Sequence, residues 1–159
     1  MSFHGGSYRS CRNFVVGNRN FDCHHLIARG ALKAWYQAMK HNRYTRFLSY
    51  ESQNWAPAIV MTHKDHMRTR SYYHSDHREA AQKYIDNQAQ QLIQKGDIVA
   101  VLKTEENIIN ELFGTKYKTA LEEMWSYFYS LHPTRTETVL SFTNPNISNF
   151  TFYYDFSFK

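Results

Sequence analysis

From Ser75 to Leu131 the apolar residues recur at helical spacing in three successive runs, each closed by a helix-stopping residue. Ala81, Ile85, Ala89 and Leu92 form the first and Gly96 ends it; Ile98, Val101, Leu102, Ile108, Ile109 and Leu112 form the second, ended by Gly114. Ala120, Leu121, Met124, Trp125 and Phe128 make the third, which stops at His132-Pro133. Ser75, followed by Asp76 and Glu79, offers the N-cap and early acids of the first. Helices striped in this way must bury their apolar faces against other elements, so the second half is expected to pack as a helical layer. The stripes themselves read as core and not as a cofactor box.

The first half is less regular. Ala31, Ala34, Trp35, Ala38 and Met39 predict an amphipathic helix from Ala31 to about Leu48, and Ala58-Ile59-Val60-Met61 is a short apolar run after a loop over residues 53–57. Asn13 to His25 holds two strand-like pieces around Gly17-Asn18, which predicts a small hairpin ending at His24-His25. Residues 1–12, rich in Gly and Ser, are expected to be a loose arm. Thr138–Phe142 and Asn149–Tyr154, either side of Asn144-Pro145-Asn146, predict an aromatic hairpin tail over residues 138–157. The fold class expected is α+β and predominantly helical, with an N-terminal hairpin carrying His24-His25, four to five helices and the C-terminal hairpin. With 159 residues the chain suits a single domain, residues 13–131 forming its core.

Charge is divided unevenly. Up to Arg78 there are twelve Lys and Arg against four Asp and Glu, a net of +8, whereas from Glu79 onward seven bases meet ten acids, a net of −3. Eight of the nine histidines lie in the basic half. A basic, His-rich half suits an anionic partner, and phosphate is the obvious one. Cys11 and Cys23 are too few for a disulfide framework and read as reduced thiols, with a structural zinc site shared with a His as the alternative. No run reaches the roughly 20 apolar residues of a membrane helix, and the first residues lack the apolar centre of a secretory signal. No membrane partner is expected.

Two clusters carry the chemistry: Asp22-Cys23-His24-His25, and His63-Lys64-Asp65-His66-Met67-Arg68-Thr69-Arg70-Ser71. Imidazole serves both as a general base near neutral pH and as a transition-metal ligand. The second cluster adds a carboxylate together with guanidinium and hydroxyl groups suited to phosphate. Metal-assisted phosphodiester hydrolysis needs these groups: an ion to neutralise the phosphate, a neutral His to take a proton from water, and arginines to position the backbone.

Cys23-His24-His25, then Ala56 to Met61, Asp65 to Tyr72, Gln88 to Gly96 and Phe113-Gly114-Thr115-Lys116-Tyr117, resemble the C-terminal toxin domains of bacterial polymorphic toxins. These are the HNH-like, or His-Me finger, nuclease tips of Rhs and contact-dependent inhibition proteins, and the resemblance covers about residues 20–131. It implies a ββα-metal site with His25 as general base, His24 as a metal ligand or orienter, Asp65 and His66 completing the metal site, and Arg68, Thr69, Arg70 and Ser71 on the phosphate. The chain departs from the pattern in two places: no Asn stands at the middle position of the HNH motif, before the second His cluster, unless Asn54 serves, and Tyr72-Tyr73 stands where the pattern has Tyr-Gly.

The resemblance also implies a divalent ion, Mg2+ or Zn2+, as cofactor, nucleic acid as substrate with DNA ahead of RNA, and an acidic cognate immunity protein. A carrier or delivery protein is a further expected partner. Such a chain would be made in a bacterial cytoplasm without a signal peptide, delivered by a secretion system, and act as an effector in the cytoplasm of the target cell. Two other readings stand beside this one. Paired histidines can cleave RNA without metal, through the 2′-hydroxyl, and a helical module can bind nucleic acid or a partner without catalysis.

Overall fold

The computed structural model describes residues 3–38 and 54–130. Its centre is a three-stranded antiparallel sheet of β1 (Gly5–Ser7), β2 (Phe21–His25) and β3 (Pro57–Thr62), ordered β1-β3-β2. β3 is the middle strand because Ala58, Ile59, Val60 and Met61, an unbroken apolar run, are all fully buried. Its register sets His24 opposite Ile59 and His25 opposite Ala58. Six helices are found among the described residues: α1 (Tyr8–Val15), α2 (Arg29–Ala38), the single turn α3 (His63–His66), α4 (Arg78–Lys95), α5 (Ile98–Phe113) and α6 (Lys118–Ser130). The sheet is covered by α1 and α6, while α4 joins α2 to α5. None of these helices is long and apolar enough to cross a membrane.

The α+β, mainly helical class is as expected, and the three stripes of the second half are α4, α5 and α6. Gly96 and Gly114 end their helices with φ of 63° and 62°, where a side chain would be strained. Asp97 caps α5 by accepting from the Ala100 amide at 3.1 Å. The Ser75 cap is replaced by a 3-10 turn over Ser75–His77, after which α4 begins at Arg78. Of the helix expected over 31–48, α2 supplies the part up to Ala38, and residues 39–48 lie outside the described residues. The aromatic hairpin over 138–157 also lies outside them.

The first twenty-five residues depart most from expectation. The loose arm is instead structured: Gly5–Ser7 pairs with β3, and Ser7 caps α1 by accepting from the Ser10 amide at 3.0 Å. Cys11 is fully buried. The hairpin over 13–25 is not formed, because Phe14 and Val15 end a helix that buries Cys11, and β2 finds its partner in the distant β3. Aromatic and β-branched residues favour strands only where they can pack on a sheet, and here Phe14 points mostly to solvent. Gly5 looked like a flexible residue but answers a packing demand. A Cβ on it would lie 1.9 Å from the carbonyl oxygen of Ala120 and 2.8 Å from its carbon, so α6 can approach β1 only over a glycine.

That contact is backbone and cannot yield as a side chain would. Gly5→Ala should therefore cost about 3 kcal/mol, the upper end for overpacking, read as a lowered urea midpoint; an unchanged midpoint would show that α6 does not sit this close.

Candidate active site

Both sequence clusters end at one place. Phe21–His25 pairs with Pro57–Thr62, and the chain leaves β3 directly into α3, so β2 and α3 are brought side by side. Thr62 starts the turn by accepting from the Asp65 amide at 3.1 Å. His24, His25 and His66 thereby line one cleft of about 580 Å3, together with Tyr8, Cys23, Arg29, Ser71, Tyr72 and Tyr73.

Each ring has its own anchor. His66 Nδ1 lies 2.8 Å from Asp22 Oδ2, and His63 Nδ1 lies 2.7 Å from the same oxygen. Burial, reinforced by the neighbouring His24, lowers the pKa of His66 to about 4. Burial works to raise the Asp22 pKa, yet its hydrogen bonds to the two histidines outweigh that and hold it below the ordinary carboxylate range. At neutral pH His66 is thus a neutral imidazole that donates Nδ1–H to an ionised carboxylate, and Nε2 is the nitrogen that can receive a proton.

His24 is held from the opposite direction in sequence. Its Nε2 donates to Glu105 Oε2 at 2.8 Å, and Tyr84 donates its hydroxyl to Glu105 Oε1. His24 and Glu105 are both almost completely buried. Burial and the adjacent Glu105 push the Tyr84 phenol up, so it stays a donor. The His24 and His66 rings meet edge to face, 5.2 Å between centroids, and Tyr72 lies edge-on to His66 at 4.9 Å. His25 stacks on Tyr8 at 3.9 Å.

The main chain that carries the two histidines is clamped from α4. Gln88 accepts from the Ala28 amide at 2.9 Å and donates to the Leu26 carbonyl at 3.1 Å. An amide side chain is the group that can satisfy a buried donor and a buried acceptor together.

Of the other residues singled out in the sequence, Ser71 lines the same cleft, whereas Arg68, Thr69 and Arg70 line a neighbouring cavity. The Thr69 hydroxyl donates to the His66 carbonyl at 2.7 Å. Asp65 is not part of the cleft lining. Its Oδ2 accepts from the Tyr117 hydroxyl at 2.7 Å and pairs with Lys116 Nζ at 2.8 Å. Those bonds outweigh burial and lower the Asp65 pKa. Cys23 faces the cleft, but burial raises its thiol to about 12, well away from a nucleophile's range.

Among the described residues no three His, Cys, Asp or Glu side chains are grouped to hold a metal ion. Asp22 and Glu105 each take an imidazole hydrogen, and Asp65 pairs with Lys116 and Tyr117 away from the cleft. No protein-family model matches the chain, and the curated proteins and the solved structures return no match.

Asp22, Glu105, Tyr84 and Gln88 were not singled out as site residues. Asp22 stood within the first cluster without a role. Glu105 had a legible signal, an acid on the apolar stripe of α5 between Leu102 and Ile108, where a charge needs a buried partner. Gln88 opened one of the resembling motifs without a role, and Tyr84 carried no signal.

Two measurements check this geometry. Glu105→Ala leaves the buried His24 without its acceptor and takes one partner from the half-buried Tyr84, and should cost about 3–5 kcal/mol in chemical denaturation; a loss near zero would mean that the His24–Glu105 pair is not formed. For His66, the unfolded chain takes up a proton below about pH 6.5 that the folded chain refuses until about pH 4. Stability should fall across that window by about 3 kcal/mol at most and then level off for this group. His66→Asn, which cannot titrate, should lose less over the same interval, and parallel losses would refute the shifted histidine.

Proposed function

We propose that the chain is an endonuclease that breaks phosphodiester bonds of nucleic acid with an imidazole general base. One observation carries the reading: histidines from segments 44 positions apart, at the level of Asp22 and His66, meet in a single cleft that also takes Arg29 and Ser71. His66 is the base best supported. Asp22 fixes its tautomer, it is unprotonated at neutral pH, and Nε2 takes the proton of the attacking oxygen. A second imidazole returns a proton to the departing oxygen. His25 fills that role in this scheme, with His24 holding the ring arrangement through Glu105. Arg29 at the cleft, and Arg68 and Arg70 beyond it, offset the charge on phosphate.

Two imidazoles suit RNA, whose 2′-hydroxyl is an internal nucleophile. The second reading is the metal-dependent cleavage of DNA that the motif resemblance implies. The His24 and His66 ring centroids lie 5.2 Å apart, the distance of an ordinary edge-to-face contact, and both rings face the cleft where such an ion would sit. His24 and His66 would then hold the ion and His25 would be the base. The toxin role, delivery into a target cell and an acidic immunity protein over the basic half rest on the motif resemblance alone.

The test is incubation with total RNA and with supercoiled plasmid, each in magnesium, zinc and EDTA. Cleavage of RNA that persists in EDTA, lowered roughly 10²- to 10⁴-fold by His66→Ala and about tenfold or more by Asp22→Asn, supports the paired-histidine chemistry. Its acid limb should fall near pH 4, because a base is lost as pH drops through its folded pKa. Nicking of plasmid that EDTA abolishes supports the second reading. Intact nucleic acid throughout sinks both.

A further inference from the structure

The cleft does not end at its histidines. Tyr72 lines it and also lines a second cavity of about 440 Å3, whose wall includes Arg68, Arg70 and His77. Ser71 faces the first cavity and Arg70 the second, so the loop that follows α3 runs along their common border. Each volume is that of a site for a small molecule, or for one unit of a polymer.

The chemistry alternates along this path. At one end are the imidazoles, at the other two guanidinium groups, and between them aromatic rings. Arg68 lies over the Phe113 ring at 5.0 Å, a contact that holds the guanidinium plane in place while its edge can still meet an anion. Arg70 is exposed. Tyr73, at the rim of the first cavity, is 52% exposed, with Arg78 over its ring at 5.7 Å. Tyr72 borders both cavities and Tyr73 only the first, and with Arg78 over one face of the Tyr73 ring a base would stack on the other; such a platform has no use for a paired duplex, whose bases are stacked on one another and turned inward. It suits an unstacked base whose flanking phosphates need cations.

Resting on the nuclease reading above, we propose that the substrate is a single strand, laid from the histidine cleft past Tyr72 into the Arg68–Arg70 cavity, with one base stacked on Tyr73. The strand's scissile phosphate lies at His66 and the next one at Arg70. Arg68 and Arg70 hold the backbone and do not read sequence, so selectivity arises from strandedness.

The experiment uses the full chain and four labelled twelve-nucleotide probes of one sequence: single-stranded RNA, single-stranded DNA, and each annealed to its complement. Binding is followed by fluorescence anisotropy over a salt series, and cleavage on gels in magnesium and in EDTA. One of the single strands should be bound and cut at least about tenfold better than its own duplex, and which of the two does so identifies the sugar. Tyr73→Ala should weaken single-strand binding about five- to a hundredfold, and Arg70→Ala should weaken it and reduce the salt slope by about one. Both side chains are exposed, so circular dichroism should show the fold retained. A duplex bound and cut as well as its single strands, or Tyr73→Ala and Arg70→Ala variants that bind like the parent, overturns the strand proposal and leaves the nuclease reading standing. Failure of all four probes to bind or be cut removes both.

Discussion

The buried Glu105 carboxylate is the group around which the two halves of the molecule are organised. It sits on α5 among Leu102, Ile108 and Ile109, and it accepts from His24 of β2 and from Tyr84 of α4. A lone carboxylate there would cost several kcal/mol, and His24 would be buried without a mate. The carboxylate and His24 are therefore satisfied together, with Tyr84 on the second oxygen, and this interaction draws the helical half onto the strand that carries the histidines. Apolar residues of similar volume can match or exceed the stability of such a buried polar group. Its place beneath a cleft lined by three histidines is better explained by the need to hold His24 in one orientation.

The remaining supports act on the same few residues from other sides. Gln88 satisfies the main chain just after His25. Tyr117, fully buried against Phe3 and Phe113, accepts from the Thr62 amide and donates to Asp65, which fixes the exit from β3 into α3. α6 in turn rests on Gly5 of β1. Residues of α4, of α6 and of the turn before it thus set the geometry of a cleft whose histidines come from the first half. The division of charge noted in the sequence has a structural counterpart, a basic half presenting the cleft and an acidic half bracing it.

Much of this was legible before the structure was known. The stripes that became α4, α5 and α6 and the glycine stops could be read because periodicity and chain termination are local properties, whereas Ala58 to Met61 showed only as a short apolar run and became a strand through its partners β1 and β2. The resemblance of motifs put His24, His25, Asp65 and His66 in one site; the three histidines line one cleft and Asp65 does not. The misreadings share a cause. Gly5 and Gly6 looked mobile, and Phe14 to Val16 looked like a strand, because in each case the deciding partner, α6 for Gly5 and β3 for β2, lies far along the chain. Asp65 was read with its neighbours in sequence, yet its carboxylate is engaged by Lys116 and Tyr117.

By itself the sequence determined the class of the fold, most of its helices, an apolar run from Ala58 to Met61, and the residue types at hand, since all of these follow from spacing and composition; that the run is the central strand was decided by its pairing with β1 and β2. Only the tertiary structure decided which carboxylate serves which imidazole. Asp22 rather than Asp65 anchors His66, and Glu105, 81 positions away in sequence, anchors His24. A hydrogen bond depends on distances of a few ångströms set by packing, and packing between distant segments leaves no periodic mark on the chain.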